Sequence, residues 1–179
     1  YMIPGLIQID NFLDNIDNIR EEALKLEYVA PTGTKGWKGF RCLDRNELTI
    51  RLTEIIKTRL GKIDSKFTTA EYDCYFHYTL KDTVKDRGYN GNRIHRDNEK
   101  DYAGVLYLAP YSVLNSGTAF YDDNYTKIAE VENIYNRFVC YPAKTLHSLQ
   151  EPFGTSIENG RLTFTVFIEF KQKQSKTLI

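Results

Sequence analysis

The sequence predicts an α+β chain: two helices, then a body of about seven or eight short strands arranged as a sandwich or jelly roll. Three observations carry that prediction. Apolar residues recur at helical spacing before residue 66 and lose that spacing after it. From residue 67 onward the chain turns to short runs rich in Thr, Tyr, Phe and Val, divided by turn-forming stretches. No strand–helix alternation and no glycine-rich phosphate loop occurs, which argues against the nucleotide-binding α/β folds.

The elements follow in chain order. Residues 6–9, Leu-Ile-Gln-Ile, suit a short strand. Asp10 to Leu26 is predicted as the first helix, with Asp14 or Asn15 as cap and Ile16, Ile19, Ala23 and Leu26 on one face. Residues 31–41 hold three glycines, Pro31, Trp37 and Phe40, and are expected to be an ordered loop. A second helix runs from Asn46 to Leu60, with Leu48, Leu52, Ile55, Ile56 and Leu60 as its stripe. Gly61 is its expected stop, because glycine accepts the left-handed conformation of a helix end. Strands are expected at 67–80, 103–109, 118–121, 136–141 and 161–171, with a polar loop over 81–93 and Pro110 closing the 103–109 run.

Composition bounds the function classes. At 179 residues and 20.8 kDa the chain has the length of one domain. Residues 1–66 would be helical support, 67–171 the β core and 172–179 a polar, Lys-rich tail. Hydrophobic content of 41% and aromatic content of 13% exclude an intrinsically disordered chain. With 24 basic and 24 acidic residues there is no cationic excess, so neither nucleic acid nor an anionic membrane is an expected partner. Cys42, Cys74 and Cys140 lie far apart with no CxxC, which implies no thiolate zinc site and suits a reducing compartment. No apolar run approaches the ~18 residues of a membrane span, and the first residues lack a signal pattern. A cytoplasmic location is expected.

The chemistry concentrates on three residues. The sequence has three histidines, and His95 stands in Arg93-Ile94-His95-Arg96-Asp97. On an extended segment, residues two apart point to one side, so His95 and Asp97 can share a metal. His147, in Thr145-Leu146-His147-Ser148 at the end of a strand, can close the site. Two imidazoles and one carboxylate on one face of a metal leave three positions open, the facial triad of non-haem Fe(II) oxygenases. Arg161 begins the run Arg161-Leu162-Thr163-Phe164-Thr165-Val166, whose odd positions are polar and even positions apolar. An arginine on an inward polar face requires an anionic partner, which a dicarboxylate would supply through a bidentate pair. The alternative is a solvated arginine on an outer face.

In this order and spacing, His95-x-Asp97, His147 and Arg161 resemble the 2-oxoglutarate- and Fe(II)-dependent oxygenase superfamily, and within it the prolyl 4-hydroxylase-like branch. Val105-Leu106-Tyr107-Leu108, Ser116-Gly117-Thr118-Ala119-Phe120 and Asn136-Arg137-Phe138-Val139-Cys140-Tyr141 resemble further strands of that branch. A weaker likeness covers the helices and Trp37-Lys38-Gly39-Phe40-Arg41. The resemblance implies a cupin-like jelly roll, the double-stranded β-helix, preceded by the two helices. It implies Fe(II) on His95, Asp97 and His147, with 2-oxoglutarate as cosubstrate and O2 as oxidant. Arg161 would bind the distal carboxylate, with help from Tyr107 and Thr163, and Tyr78 would lie near the cosubstrate's other end. Core packing is the alternative for Tyr78, and packing rather than ligation is expected of His77. Arg96 and Lys144 are expected to be solvated, and loops 81–93 and 110–117 to form the mouth of the site. The implied activity is hydroxylation of a protein residue, proline being one candidate, or of a small molecule, with succinate and CO2 released. The retained Asp97 disfavours halogenation. Two other classes stay open: a jelly-roll binding module without catalysis, and a cupin-type metal enzyme that uses no keto acid.

Overall fold

A computed structural model of the chain describes residues 3–31, 39–83, 94–111 and 113–171. The elements are β1 (Ile7–Ile9), α1 (Ile16–Leu24), β2 (Phe40–Arg41), α2 (Glu47–Ile63), a 3-10 turn (Ser65–Phe67), β3 (Glu71–Thr79), β4 (Tyr102–Tyr107), β5 (Thr118–Tyr121), β6 (Lys127–Val131), β7 (Phe138–Pro142), β8 (Leu146–Leu149) and β9 (Arg161–Glu169). They form a six-stranded sheet in the order β1-β7-β4-β9-β3-β2 and a three-stranded sheet in the order β6-β5-β8. Every strand pair is antiparallel. This is the α+β double-stranded β-helix that the sequence predicts, with the two helices first. Among the described residues no helix is long and apolar enough to cross a membrane.

Alternation along β9 separates two interiors. Leu162, Phe164, Val166 and Ile168 are fully buried and pack with Ile19, Ala23, Leu52, Ile56 and Leu60 of the helices. Burial of such apolar surface contributes about 25 cal/mol per Å² and holds the helices to the larger sheet. Arg161, Thr163 and Thr165 therefore point the other way, toward the smaller sheet. There a second cluster joins Tyr107, Val139 and Tyr141 of the larger sheet to Phe120 and Val131 of the smaller one. The site lies in this second interior. The three cysteines are unpaired.

Three elements differ from the sequence prediction in ways that local contacts explain. The first helix begins at Ile16 rather than Asp10, because Asn136 holds the preceding segment open. Phe12 N–H donates to the Asn136 carbonyl (2.9 Å), Leu13 N–H donates to Asn136 Oδ1 (2.9 Å), and Asn136 Nδ2 donates to the Leu13 carbonyl (2.7 Å). Asn15 caps α1 by position, without a side-chain hydrogen bond. The second helix runs through Gly61 to Ile63 and ends at Asp64, whose carboxylate accepts from Lys66 N–H. Gly61 is needed for another reason: a Cβ there would collide with Thr68 Oγ1. Phe40 and Arg41 of the expected loop form β2, paired antiparallel with β3. Residues 32–38, with Trp37, lie outside the described residues, as do 84–93 of the polar loop and 172–179 of the tail.

Asn136 also adopts a left-handed conformation (φ 65°), which asparagine tolerates better than most side chains. Asn136→Ala leaves the buried Leu13 N–H and C=O without partners and keeps the unfavourable φ. It is expected to lower stability by about 2–4 kcal/mol. Urea unfolding should show a lower midpoint at unchanged slope, and an unchanged midpoint would contradict this role.

Candidate metal centre

Backbone pairing brings the three predicted ligands together. His95 N–H donates to the His147 carbonyl and His147 N–H to the His95 carbonyl, both at 3.0 Å. Two residues on, Asp97 N–H donates to the Ala143 carbonyl at 2.9 Å. The 95–97 segment is thus laid beside β8 and the turn before it. Residues 95 and 97 then present their side chains to the ring of His147, which β8 carries opposite Phe120 of β5.

The donor atoms suit one divalent ion. Asp97 Oδ2 lies 3.2 Å from His147 Nε2, and Asp97 Oδ1 lies 3.6 Å from His95 Nε2. One ligand atom from each residue falls within 4.8 Å of the others. Metal–ligand bonds of ~2.1 Å at right angles put neighbouring donors ~3 Å apart, and each imidazole stands near that spacing from one Asp97 oxygen. His147 Nδ1 lies 2.7 Å from the Thr145 carbonyl, which can only accept. That bond places the proton on Nδ1 and leaves the Nε2 lone pair for a metal. Burial opposes ionisation of Asp97, but the hydrogen bond and charge from His147, with His95 and Arg41, hold its carboxyl below the ordinary value. His147 is 5% exposed, packed edge-on against Tyr141 (4.9 Å between centroids), while His95 and Asp97 are half-buried. The metal face is therefore walled on one side and open on the other.

Arg161 sits deeper. It is 5% exposed, and its Nε donates to the Ser116 carbonyl (2.6 Å) and its Nη2 to the Gly117 carbonyl (3.0 Å). Its guanidinium stands 5.7 Å from the Tyr107 ring centre. No carboxylate among the described residues forms a salt bridge with it, and burial lowers its pKa. Gly117 makes this approach possible, because a Cβ there would collide with the Val131 carbonyl. Tyr107 is fully buried, with its phenol 2.7 Å from Thr118 Oγ1. Thr163 pairs with Tyr107 across β4–β9, and its hydroxyl donates to the His77 carbonyl at 3.2 Å. Arg161, Tyr107 and Thr163 thus share one inward patch. From Gly117 to Phe120, opposite His147, three residues of strand span ~10 Å. A five-carbon dicarboxylate with the bonds at its two ends has that order of length.

Tyr78 is the exception. It pairs with Leu162, on the helix side of the larger sheet, and stacks on Phe40 (4.8 Å) with its edge toward Tyr28 (5.1 Å). Period-two alternation therefore turns it away from the metal, into the core. His77, one position earlier, lies on the inward face opposite Thr163. Arg96 pairs at the surface with Asp123 (2.7 Å) and also donates to the Lys144 carbonyl.

Sequence reasoning passed over Arg41. Its guanidinium stands 5.0 Å from the Tyr75 ring centre, within the electrostatic field of Asp97. Desolvation by burial pulls it down to about 10 against the opposing charges of Tyr75, Asp73 and Asp97. Its register opposite His77 is legible only once β2 is recognised as a strand.

Comparison with known proteins agrees with this geometry. A family of unknown function, DUF6445, matches residues 122–168, which include His147 and Arg161. A search of curated proteins returns no match. Among solved structures, a Pseudomonas putida prolyl-4-hydroxylase superposes with a TM-score of 0.68 at 16% identity, covering 93% of each chain. HygX from Streptomyces hygroscopicus, with nickel and 2-oxoglutarate bound, gives 0.68 at 10% identity over 93% of this chain and 83% of its own. A viral collagen prolyl hydroxylase from Paramecium Bursaria Chlorella virus-1 gives 0.56 at 12% identity over 96% of each chain. The fold is that of the 2-oxoglutarate/Fe(II) oxygenases, prolyl 4-hydroxylases among them, and in this chain His95, Asp97 and His147 form a group that could hold a metal.

The donor set predicts one divalent ion per chain. Asp97→Ala removes the only carboxylate of the three and is expected to weaken Fe(II) or Ni(II) binding by more than ~100-fold, with circular dichroism unchanged. Binding should also weaken in acid, because protonated imidazoles cannot ligate. Anaerobic calorimetry measures both, and wild-type affinity in Asp97→Ala would remove the site.

Proposed function

We propose that this chain is an Fe(II)- and 2-oxoglutarate-dependent dioxygenase that hydroxylates an unactivated C–H bond of a protein residue or a small molecule. The carrying observation is Arg161, a buried cation with no carboxylate partner among the described residues, facing the interior between the two sheets that His147 faces from the other side. A buried charge without a counterion is costly, and a metal-chelating dicarboxylate would supply one here. Iron and the keto acid together would supply oxidising power from O2, with succinate and CO2 as co-products.

The chain's own residues have separable tasks in this reading. His95, Asp97 and His147 would hold the ion through three donors, and such a set leaves room for cosubstrate and oxidant. The Ser116 and Gly117 carbonyls use two of the five guanidinium N–H groups and orient the rest toward the distal carboxylate. Burial pushes the Tyr107 phenol up, so it stays protonated and able to donate to that carboxylate. Thr163 gives its hydroxyl proton to the His77 carbonyl, so it lines this patch rather than donating to the carboxylate. Phe120, Tyr141, Val139 and Val131 form an apolar wall that keeps water from the reacting centre. Tyr78 has no part in this reading, because it faces the helices.

Anaerobic titration of 2-oxoglutarate into the Fe(II)-loaded protein tests the proposal. A saturable visible charge-transfer band is expected. In Arg161→Gln the dissociation constant should rise by about 10–100-fold, the loss of a charge-assisted pair, with iron affinity unchanged. Bound iron without a band would contradict the proposal and point to a metal enzyme that uses no keto acid. Failure to bind iron would point to a non-catalytic module.

A further inference from the structure

We infer that Asn133, with Thr79, completes the pocket for the distal carboxylate beside Arg161. The inference rests on the reading of the site just given and adds two residues to it. Asn133 is 3% exposed, and neither its Nδ2 nor its Oδ1 has a hydrogen-bond partner among the described residues. Thr79 is 1% exposed, and its Oγ1 likewise has none among them. Buried polar atoms without partners are rare and costly, so each calls for something that satisfies it.

Register places both residues at the arginine. The β5–β6 ladder pairs Thr118 with Val131, and the antiparallel step beyond it sets Asn133 across from Ser116. A Cβ on Gly117 would stand 2.9 Å from the Asn133 backbone nitrogen, so the two backbones run close together here. Ser116 and Gly117 are the residues whose carbonyls hold Arg161. On the opposite side, Thr79 is the cross-strand partner of Arg161 itself, and so shares its inward face. Two buried residues with unmet hydrogen-bonding capacity therefore flank a buried cation.

The donor chemistry fits a carboxylate. Its two oxygens offer about four acceptor positions. The spare N–H groups of Arg161, the Asn133 Nδ2 amide and the Thr79 hydroxyl can fill them. Asn133 Oδ1, an acceptor only, then has reason to turn toward the guanidinium, which orients Nδ2 toward the anion. Asn133 acts here as a cosubstrate-binding residue and Thr79 as a second, weaker donor.

The test compares two keto acids on Fe(II)-loaded protein under nitrogen: 2-oxoglutarate, and 2-oxobutyrate, which lacks the distal carboxylate. Asn133→Leu is expected to weaken 2-oxoglutarate by about tenfold, the loss of one buried charge-assisted hydrogen bond, and to leave 2-oxobutyrate unchanged. Thr79→Val, nearly isosteric, should show the same selectivity at about threefold, and decides the matter if Asn133→Leu does not fold. Equal losses for both keto acids would make the residues structural and overturn the inference. Wild-type affinity in both variants would overturn it too, and would assign the unmet atoms to buried water. If the wild type binds iron but no 2-oxoglutarate, the functional reading falls and this inference falls with it; a loss confined to the inference leaves wild-type binding intact.

Discussion

The site depends on one reciprocal pair of backbone hydrogen bonds, between residues 95 and 147. His95 and Asp97 follow a stretch of chain with little apolar content, and no regular element carries them. Their place is set by this bridge and by the bond from Asp97 N–H to the Ala143 carbonyl. Side-chain alternation does the rest, turning both donors to the ring of His147. A metal site assembled by backbone pairing is pre-organised, so a bound ion need not order the segment. His147 is itself fixed twice, by β8 and by the Thr145 carbonyl on its Nδ1. His95 and Asp97 remain half-exposed, so a bound ion would be reached from their side.

Charge sets the second constraint. The interior between the sheets is apolar around Phe120, Val131, Val139 and Tyr141, yet it holds the Arg161 guanidinium. Two backbone carbonyls and a tyrosine face satisfy part of that group but do not neutralise it. A scaffold selected for stability alone gains nothing from such a cation. Under the proposed function a dianionic acid would supply the missing counter-charge. The two sheets divide the labour: the helix-backed sheet supplies Arg161, Tyr107 and Thr163, and the smaller sheet supplies His147 and the carbonyls that aim the arginine.

Much of this was legible in the sequence, for local reasons. His95 and Asp97 share a side because they are two apart on an extended segment. Arg161 and Thr163 share a face because β9 alternates between polar and apolar from Arg161 to Val166. Tyr78 was not legible, because β3 carries aromatic or bulky groups on both faces, Tyr72, Phe76 and Tyr78 on one and Tyr75 and His77 on the other. Alternation without a polarity difference cannot say which face is inward. The start of α1 was illegible because the residue that prevents helix over 10–15 is Asn136, far along the chain. Gly61 misleads for a similar reason: its role is set by Thr68 packing against it, not by the helix end. Asn133 lies between β6 and β7 with no periodicity to mark it, and only the pairing of its neighbours shows what it flanks.

The most direct test of the central claim is diffraction from crystals grown under nitrogen with Fe(II) and 2-oxoglutarate, with anomalous data collected at the iron edge. The account predicts one iron bound by His95, Asp97 and His147, with the keto acid chelating it and its distal carboxylate against Arg161. Iron bound elsewhere, or a keto acid that leaves Arg161 uncontacted, would contradict it.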